Sequence, residues 1–183
     1  MKSLLTGFAL LCGLAAIPAH AALAVGAPAP DFTAKASLGG KEFDFSLDEA
    51  LKKGPVVLYF YPAAFTKGCT IEAHEFADAT DKFAALGATV IGISHDDIAT
   101  LDKFSVSECR SKFAVAADPT GAVIKAYDTV LAKTPMADRT SYVIAPDHKV
   151  LFAYTAMDPY KHVDLTMDAV TKWRVAHPLT PHP

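Results

Sequence analysis

The side chains best suited to chemistry stand together in YFYPAAFTKGCTIEAHEF, residues 59–76. An apolar run ends at Pro62, a short polar turn carries Thr66 and Gly68, and a single cysteine, Cys69, opens an amphipathic segment. A cysteine in the first turn of a helix faces backbone N–H groups that lack helical partners, and the positive end of the helix dipole. Both favour the thiolate, the nucleophilic form of sulfur, the more so beside a cation. Gly68 lets backbone approach closely, and Thr66 stands where its hydroxyl can reach the sulfur or whatever the sulfur attacks. Buried structural packing is the commoner fate of a lone thiol, but packing has no use for a helix N-terminus.

The elements around this stretch must hold the sulfur in place. Apolar runs with β-branched or aromatic content at 55–61, 88–93, 114–117, 141–145 and 150–154 read as strands. From Ala73, the residues Phe76, Ala77, Thr80, Phe83 and Ala84 recur at i, i+3, i+4 spacing until Gly87 ends the pattern, so a helix begins at or just before Cys69. A second helix follows SHDD and carries Ile98, Leu101, Ser105 and Cys109 on one stripe, and a third lies near 163–173. Pro146, Asp147 and His148 form a turn between two strands, which supplies an antiparallel hairpin. Strands alternating with helices, plus a hairpin, predict an α/β domain with a mixed central β-sheet flanked by helices on both faces.

The N-terminus reads as a secretory signal peptide over residues 1–21. Lys2 precedes an apolar run at 4–17, and Ala19 and Ala21 form a cleavage site, with a second at Ala22 and Ala24. The run falls short of the ~20 residues of a membrane span and meets Pro18, so stable membrane association is not expected. Cys12 departs with this segment, leaving Cys69 and Cys109 in a single domain at 22–183. Loss of Lys2 leaves 16 of the 17 Lys and Arg against 20 Asp and Glu, a balance of −4. So mildly acidic a chain advertises no nucleic-acid surface. The histidines His95, His148, His162, His177 and His182 show no zinc-ligand spacing, so no metal is expected. His74 reads as a solvated helix residue.

Pro62, Thr66 and Cys69 stand as P-x-x-x-T-x-x-C, and the frame continues through VIGISHDD, AADPTGAVIKAYD and RTSYVIAPDHKV. This pattern resembles the peroxiredoxins, and most of all the bacterioferritin comigratory (peroxiredoxin Q) group, over essentially the whole of 22–183. The resemblance implies a thioredoxin-like fold and a thiol-dependent peroxidase in which Cys69 attacks a hydroperoxide and becomes a sulfenic acid. It implies that Arg139 stabilises the thiolate and the peroxide oxygens, that Thr66 bonds the peroxide and that Pro62 shields the sulfur. The backbone N–H groups of Gly68 and Cys69 become further donors, and Glu72, one turn past Cys69, reads either as a residue that orients Arg139 or as an exposed helix carboxylate. No metal or organic cofactor is implied, since sulfur carries the electrons. The partners implied are a hydroperoxide and a thioredoxin-like or other thiol reductant. The state expected is a monomer or weak dimer, in the periplasm.

One departure matters. Many members of the group carry a resolving cysteine five residues after the first, where His74 stands here. Cys109 is the remaining candidate; some members place this thiol about one turn earlier on the same helix, where Ser105 stands, and i, i+4 residues share a face. Two alternatives stay open: a one-cysteine enzyme with Cys109 a spectator, and a permanent stabilising Cys69–Cys109 disulfide. A thioredoxin-like thiol-disulfide oxidoreductase needs Cys-x-x-Cys, where Thr66 occupies the partner position, and a copper-delivery relative needs a second cysteine where Ala73 stands. Against a non-catalytic binding or chaperone module stand the intact Pro62, Thr66, Cys69 and Arg139.

Overall fold

Every residue of β3, Val56–Phe60, is buried, as befits a strand covered on both sides. Its side chains alternate between two cores: Val57 and Tyr59, with Tyr61 beyond the strand, join one cluster, while Val56, Leu58 and Phe60 join the other. The structure, a computed structural model, describes residues 22–179; the signal-peptide expectation for 1–21 lies outside them. β3 sits inside a seven-stranded mixed sheet of order β2-β1-β5-β4-β3-β6-β7. The strands are β1 Thr33–Leu38, β2 Lys41–Ser46, β4 Thr89–Ser94, β5 Ala114–Ala117, β6 Thr140–Ile144 and β7 Val150–Thr155. β4 runs parallel to β3 and β5, whereas β1–β2, β1–β5, β3–β6 and β6–β7 are antiparallel.

The helices divide between the faces. α2 (Lys67–Ala85), α3 (Ile98–Ser107) and α5 (His162–Ala176) cover the Tyr59 side; α1 (Leu47–Leu51) and α4 (Ala122–Ala126) cover the other. α2 buries Ala73, Phe76, Ala77 and Phe83, the stripe expected from its periodicity, although Ala84 stays exposed. It ends where Gly87 takes φ 67°, which lets Ala88 N–H reach back to the Phe83 carbonyl at 2.9 Å. The expected hairpin is β6–β7, with His148 at φ 61° in its turn.

Two findings go beyond the sequence reading. β1 and β2 form an edge hairpin closed by Gly39 and Gly40, both at positive φ. A two-residue glycine loop between alternating apolar positions, Ala34, Ala36 and Leu38 before it and Phe43 and Phe45 after it, is a strong hairpin signal, though more than half of the residues in the two strands are exposed. The second finding corrects the placement of Cys109. α3 stops at Ser107, and the chain closes off with Cys109 N–H bonded to Phe104 O and Ser111 N–H to Ser105 O, Arg110 and Ser111 taking positive φ. Cys109 therefore lies beyond the helix and does not share the Ser105 face. Ser105 turns to β1, bonding Ser37 Oγ at 3.1 Å and Gly40 N–H at 2.9 Å.

Candidate active site

Strand β3 delivers the chain to Pro62, and the loop that follows is pinned to the end of β4. Ala64 N–H donates to Asp96 Oδ2 at 2.8 Å, and Ser94 Oγ donates to the same oxygen at 2.7 Å. Phe65 holds φ 63° here, an uncommon conformation for a bulky residue, and local strain of this kind concentrates at functional loops. Thr66 is the N-cap of α2 in extended conformation; its hydroxyl donates to Ala63 O at 3.0 Å, and its carbonyl receives Thr70 N–H at 2.9 Å. Helix geometry leaves the N–H groups of Lys67, Gly68 and Cys69 without helical acceptors. Cys69 thus sits in the first turn, buried at 1% exposure, and Pro62, seven residues earlier in the chain, is half-buried.

Arg139, just ahead of β6, is brought to this turn by the pairing of β6 with β3, which sets Thr140 opposite Phe60. Its Nη2 donates to Cys69 Sγ at 3.5 Å, its Nη1 to Glu72 Oε2, and its Nε to Met157 O at 3.1 Å. The guanidinium is therefore held on three sides, and both Arg139 and Glu72 are buried, at 3% and 0% exposure. A Cβ on Gly68 would lie 2.9 Å from Arg139 Nη2, so this glycine is what lets the guanidinium lie against the helix turn. Burial dominates Glu72 and pushes its carboxyl up to about 8, against the pull of Arg139.

Two residues behind Glu72 escaped the sequence reading. His162, fully buried at the start of α5, has Nε2 2.9 Å from the Ala156 carbonyl and Nδ1 2.8 Å from Ser141 Oγ. A carbonyl only accepts, so Nε2 carries the proton and Nδ1 accepts from Ser141. Burial pushes this imidazole down to about 4. Glu72 Oε1 lies 3.6 Å from Nδ1 and has no hydrogen-bond partner. The one available hint was the R-x-S of residues 139–141, which sets Ser141 two residues after Arg139.

Cys109 belongs to the same buried cluster as Cys69, and both thiols are free. Burial pushes the Cys109 thiol strongly up, leaving a neutral, inert group while it stays packed. The stacked rings of Tyr59 and Tyr61, centroids 5.4 Å apart, lie in the electrostatic reach of both sulfurs, and burial holds both phenols protonated. The segment bearing Cys109 is tied to one face of α2 by three side-chain contacts: the hydrogen bond between His74 and Glu108 at 2.8 Å, and the ion pairs Asp78–Arg110 at 2.5 Å and Asp81–Lys112 at 3.1 Å. Among the described residues no group of three or more His, Cys, Asp or Glu side chains is placed to hold a metal ion.

The sequence profile of the AhpC/TSA family matches residues 25–153. A peroxiredoxin of Mycobacterium tuberculosis is 40% identical over 108 residues, covering 57% of this chain and 70% of that protein. Chloroplastic peroxiredoxin Q of Gentiana triflora is 34% identical over 157 residues, covering 84% of this chain and 69% of its own. Among solved structures, peroxidoxin BcpB of Mycobacterium tuberculosis superposes with a TM-score of 0.74 at 32% identity, over 81% of this chain and 96% of that one.

Proposed function

The chain belongs to the AhpC/TSA family, as a peroxiredoxin of the Q (bacterioferritin comigratory) type on a thioredoxin-like fold, and on that premise we propose that Cys69 is its peroxidatic cysteine. Peroxiredoxins are thiol-dependent peroxidases. In this chain the Cys69 thiolate attacks the terminal oxygen of hydrogen peroxide or an organic hydroperoxide. An S–O bond forms as the O–O bond breaks, two electrons pass from sulfur to the departing oxygen, and water or an alcohol leaves. The observation that carries the assignment is Arg139 Nη2 at 3.5 Å from Cys69 Sγ, on a guanidinium fixed by Glu72 and the Met157 carbonyl. A fixed cation beside the sulfur favours the thiolate and meets the charge that develops on the peroxide oxygens. The first-turn N–H groups of Gly68 and Cys69 and the Thr66 hydroxyl complete the oxygen site, and Pro62 limits water.

The sulfenic acid is resolved by Cys109, which forms the Cys69–Cys109 disulfide with loss of water and is then reduced by a thioredoxin-like dithiol. Both sulfurs are buried and Cys109 is held neutral, so resolution needs local unwinding of the first turn of α2 and of the 108–112 segment. The protein works in the periplasm as a monomer or weak dimer after cleavage near Ala21, an address supported by Lys2, the apolar 4–17 run and the Ala19/Ala21 site. The test is the intact mass of reduced protein after one equivalent of hydrogen peroxide, with and without a sulfenic-acid trap. Loss of two hydrogens mapped to Cys69 and Cys109 is the expected result. A trap adduct on Cys69 beside a free Cys109 would replace internal resolution by an external thiol, and an unchanged mass would overturn the assignment of Cys69.

A further inference from the structure

The buried site holds two acids and one cation. Cys69 Sγ and the Glu72 carboxyl both contact Arg139, one turn apart on α2. The adjacent imidazole adds no charge, because Nε2–H is committed to the Ala156 carbonyl and Nδ1 presents a lone pair. A thiolate and a carboxylate around one guanidinium would leave a buried negative charge without a counter-ion, an arrangement that drives one of the acids to keep its proton. Glu72 Oε1 is buried without a hydrogen-bond partner and lies 3.6 Å from that lone pair. As ionised oxygen it faces another acceptor; carrying a proton, it becomes a donor aimed at one.

We propose that Glu72 and His162 form a proton reservoir for the peroxidatic cysteine: as Cys69 ionises, Glu72 binds a proton at Oε1 and donates it in a hydrogen bond to His162 Nδ1. The inference deepens the peroxidase reading and rests on it. The two states have equal charge, thiol with carboxylate or thiolate with carboxylic acid, each balanced by Arg139. Ser141, whose buried hydroxyl donates to Nδ1 at 2.8 Å in the resting site, shares that lone pair with Glu72 or yields it. When the thiolate attacks ROOH, the S–O bond forms and RO⁻ departs. Sulfur is then no longer anionic, so Glu72 returns to carboxylate against Arg139 and releases its proton as RO⁻ takes one up. Cys–SH and ROOH thus become Cys–SOH and ROH with no net proton drawn from solvent.

The surroundings bear on the same groups. Glu75 on α2 adds a like charge that favours protonated Glu72, and Arg139 opposes it. Tyr59 on β3 lies in the field of Glu72. Around His162, Arg139 disfavours the imidazolium and Asp158 favours it, and the Tyr154 ring of β7 packs edge-on at 4.9 Å. His162 is a positioning residue in this scheme, since it touches Glu72 and not the reacting atoms.

Infrared difference spectroscopy of the reduced full-length mature protein tests the reservoir, with the thiolate followed by its ultraviolet absorbance and the fold by near-ultraviolet circular dichroism. The expected result at neutral pH is a carboxylic-acid C=O stretch that shifts in D₂O, is absent in Glu72→Gln and in Cys69→Ser, and disappears when hydrogen peroxide is added to the wild type. In His162→Leu the band moves to higher frequency as its hydrogen bond is lost. A wild-type thiolate with no acid band, or a band that survives Glu72→Gln, overturns the reservoir, and an unmoved band in folded His162→Leu overturns the part given to His162. The wild-type measurement needs no variant to fold. Peroxide consumption is recorded separately, so an acid band in a protein that does not consume peroxide counts against the peroxidase reading, and active protein without the band counts against the reservoir.

Discussion

His74 Nε2 lies 2.8 Å from Glu108 Oε2, joining α2 five residues beyond Cys69 to the residue that precedes Cys109. The pair spans the two segments that must separate from their packed positions before the two sulfurs can meet. With Asp78–Arg110 and Asp81–Lys112 it forms a row along one face of α2, at positions 74, 78 and 81. The row makes the 108–112 segment part of the helix surface in the packed state.

Removing this tie is expected to speed resolution. Partly exposed pairs contribute about 0.2–1 kcal/mol each, so Glu108→Gln should raise the rate of Cys69–Cys109 disulfide formation by up to about fivefold. Stopped-flow tyrosine or tryptophan fluorescence after a single peroxide pulse reads the step, and moderate salt should accelerate wild type and variant alike by screening the two remaining ion pairs. A slower variant would mean that the pair assists the encounter of the sulfurs.

Arg139 is tied to both chemistry and stability, and the two roles separate by substitution. Arg139→Met removes the donor beside Sγ and should lower the second-order rate with hydrogen peroxide by about 10²–10³. It also leaves Glu72 as an unpaired buried acid, costing about 3–5 kcal/mol in denaturant melts. Adding Glu72→Gln should restore much of that stability and none of the rate.

Gly68 supports a narrower test. The missing side chain admits the guanidinium, whose Nη2 would stand 2.9 Å from a Cβ at this position. Gly68→Ala should displace Arg139 while leaving the helix intact, and a displacement of this order costs about ten- to hundredfold in peroxide rate. Unchanged kinetics with unchanged circular dichroism would show that the guanidinium has room to move.

Stability should carry the imprint of the buried His162. Its imidazole falls from 6.5 to about 4, so its contribution is complete above 6.5 and is lost as pH drops toward 4. Glu72 is raised from 4.5 to about 8, but the proton it holds is the one Cys69 gives up, and the unfolded chain carries that proton on the thiol, so the pair adds no slope at neutral pH. Urea melts across pH should show stability falling by about 1.4 kcal/mol per pH unit as pH drops from 6.5 toward 4.5 in the wild type, and the loss of that decline in His162→Leu. Persistence of the decline in the variant would assign it to another group, and a decline as pH rises from 6.5 to 8 would count against the reservoir.

The chain by itself determined those features whose cause is local. Runs such as VVLYF and TSYVI announce buried strands because nearly all their residues are apolar or small enough to bury, and the 3.6-residue stripe from Ala73 to Phe83 announces α2. The proline, threonine and cysteine spacing sets the loop and the first turn together, since each acts on its immediate neighbours. Where the cause is distant, the sequence says less. β2 is the edge strand and β1 lies between it and β5, both held by their pairing, and α4 is five residues long, too short for periodicity to register. The end of α3 before Cys109 depends on the left-handed turn at Arg110 and Ser111, residues with no intrinsic preference for it.

The tertiary structure decided the site's electrostatics. Cys69 and Arg139 are 70 positions apart, and Glu72, Ser141 and His162 come from α2, β6 and α5. The family pattern tied Arg139 to Cys69 and offered Glu72 as its partner, but nothing foretold the place of His162 or the protonation of the pocket, because protonation is governed by desolvation and by charges within a few ångströms, both of which exist only once the sheet has closed against its helices.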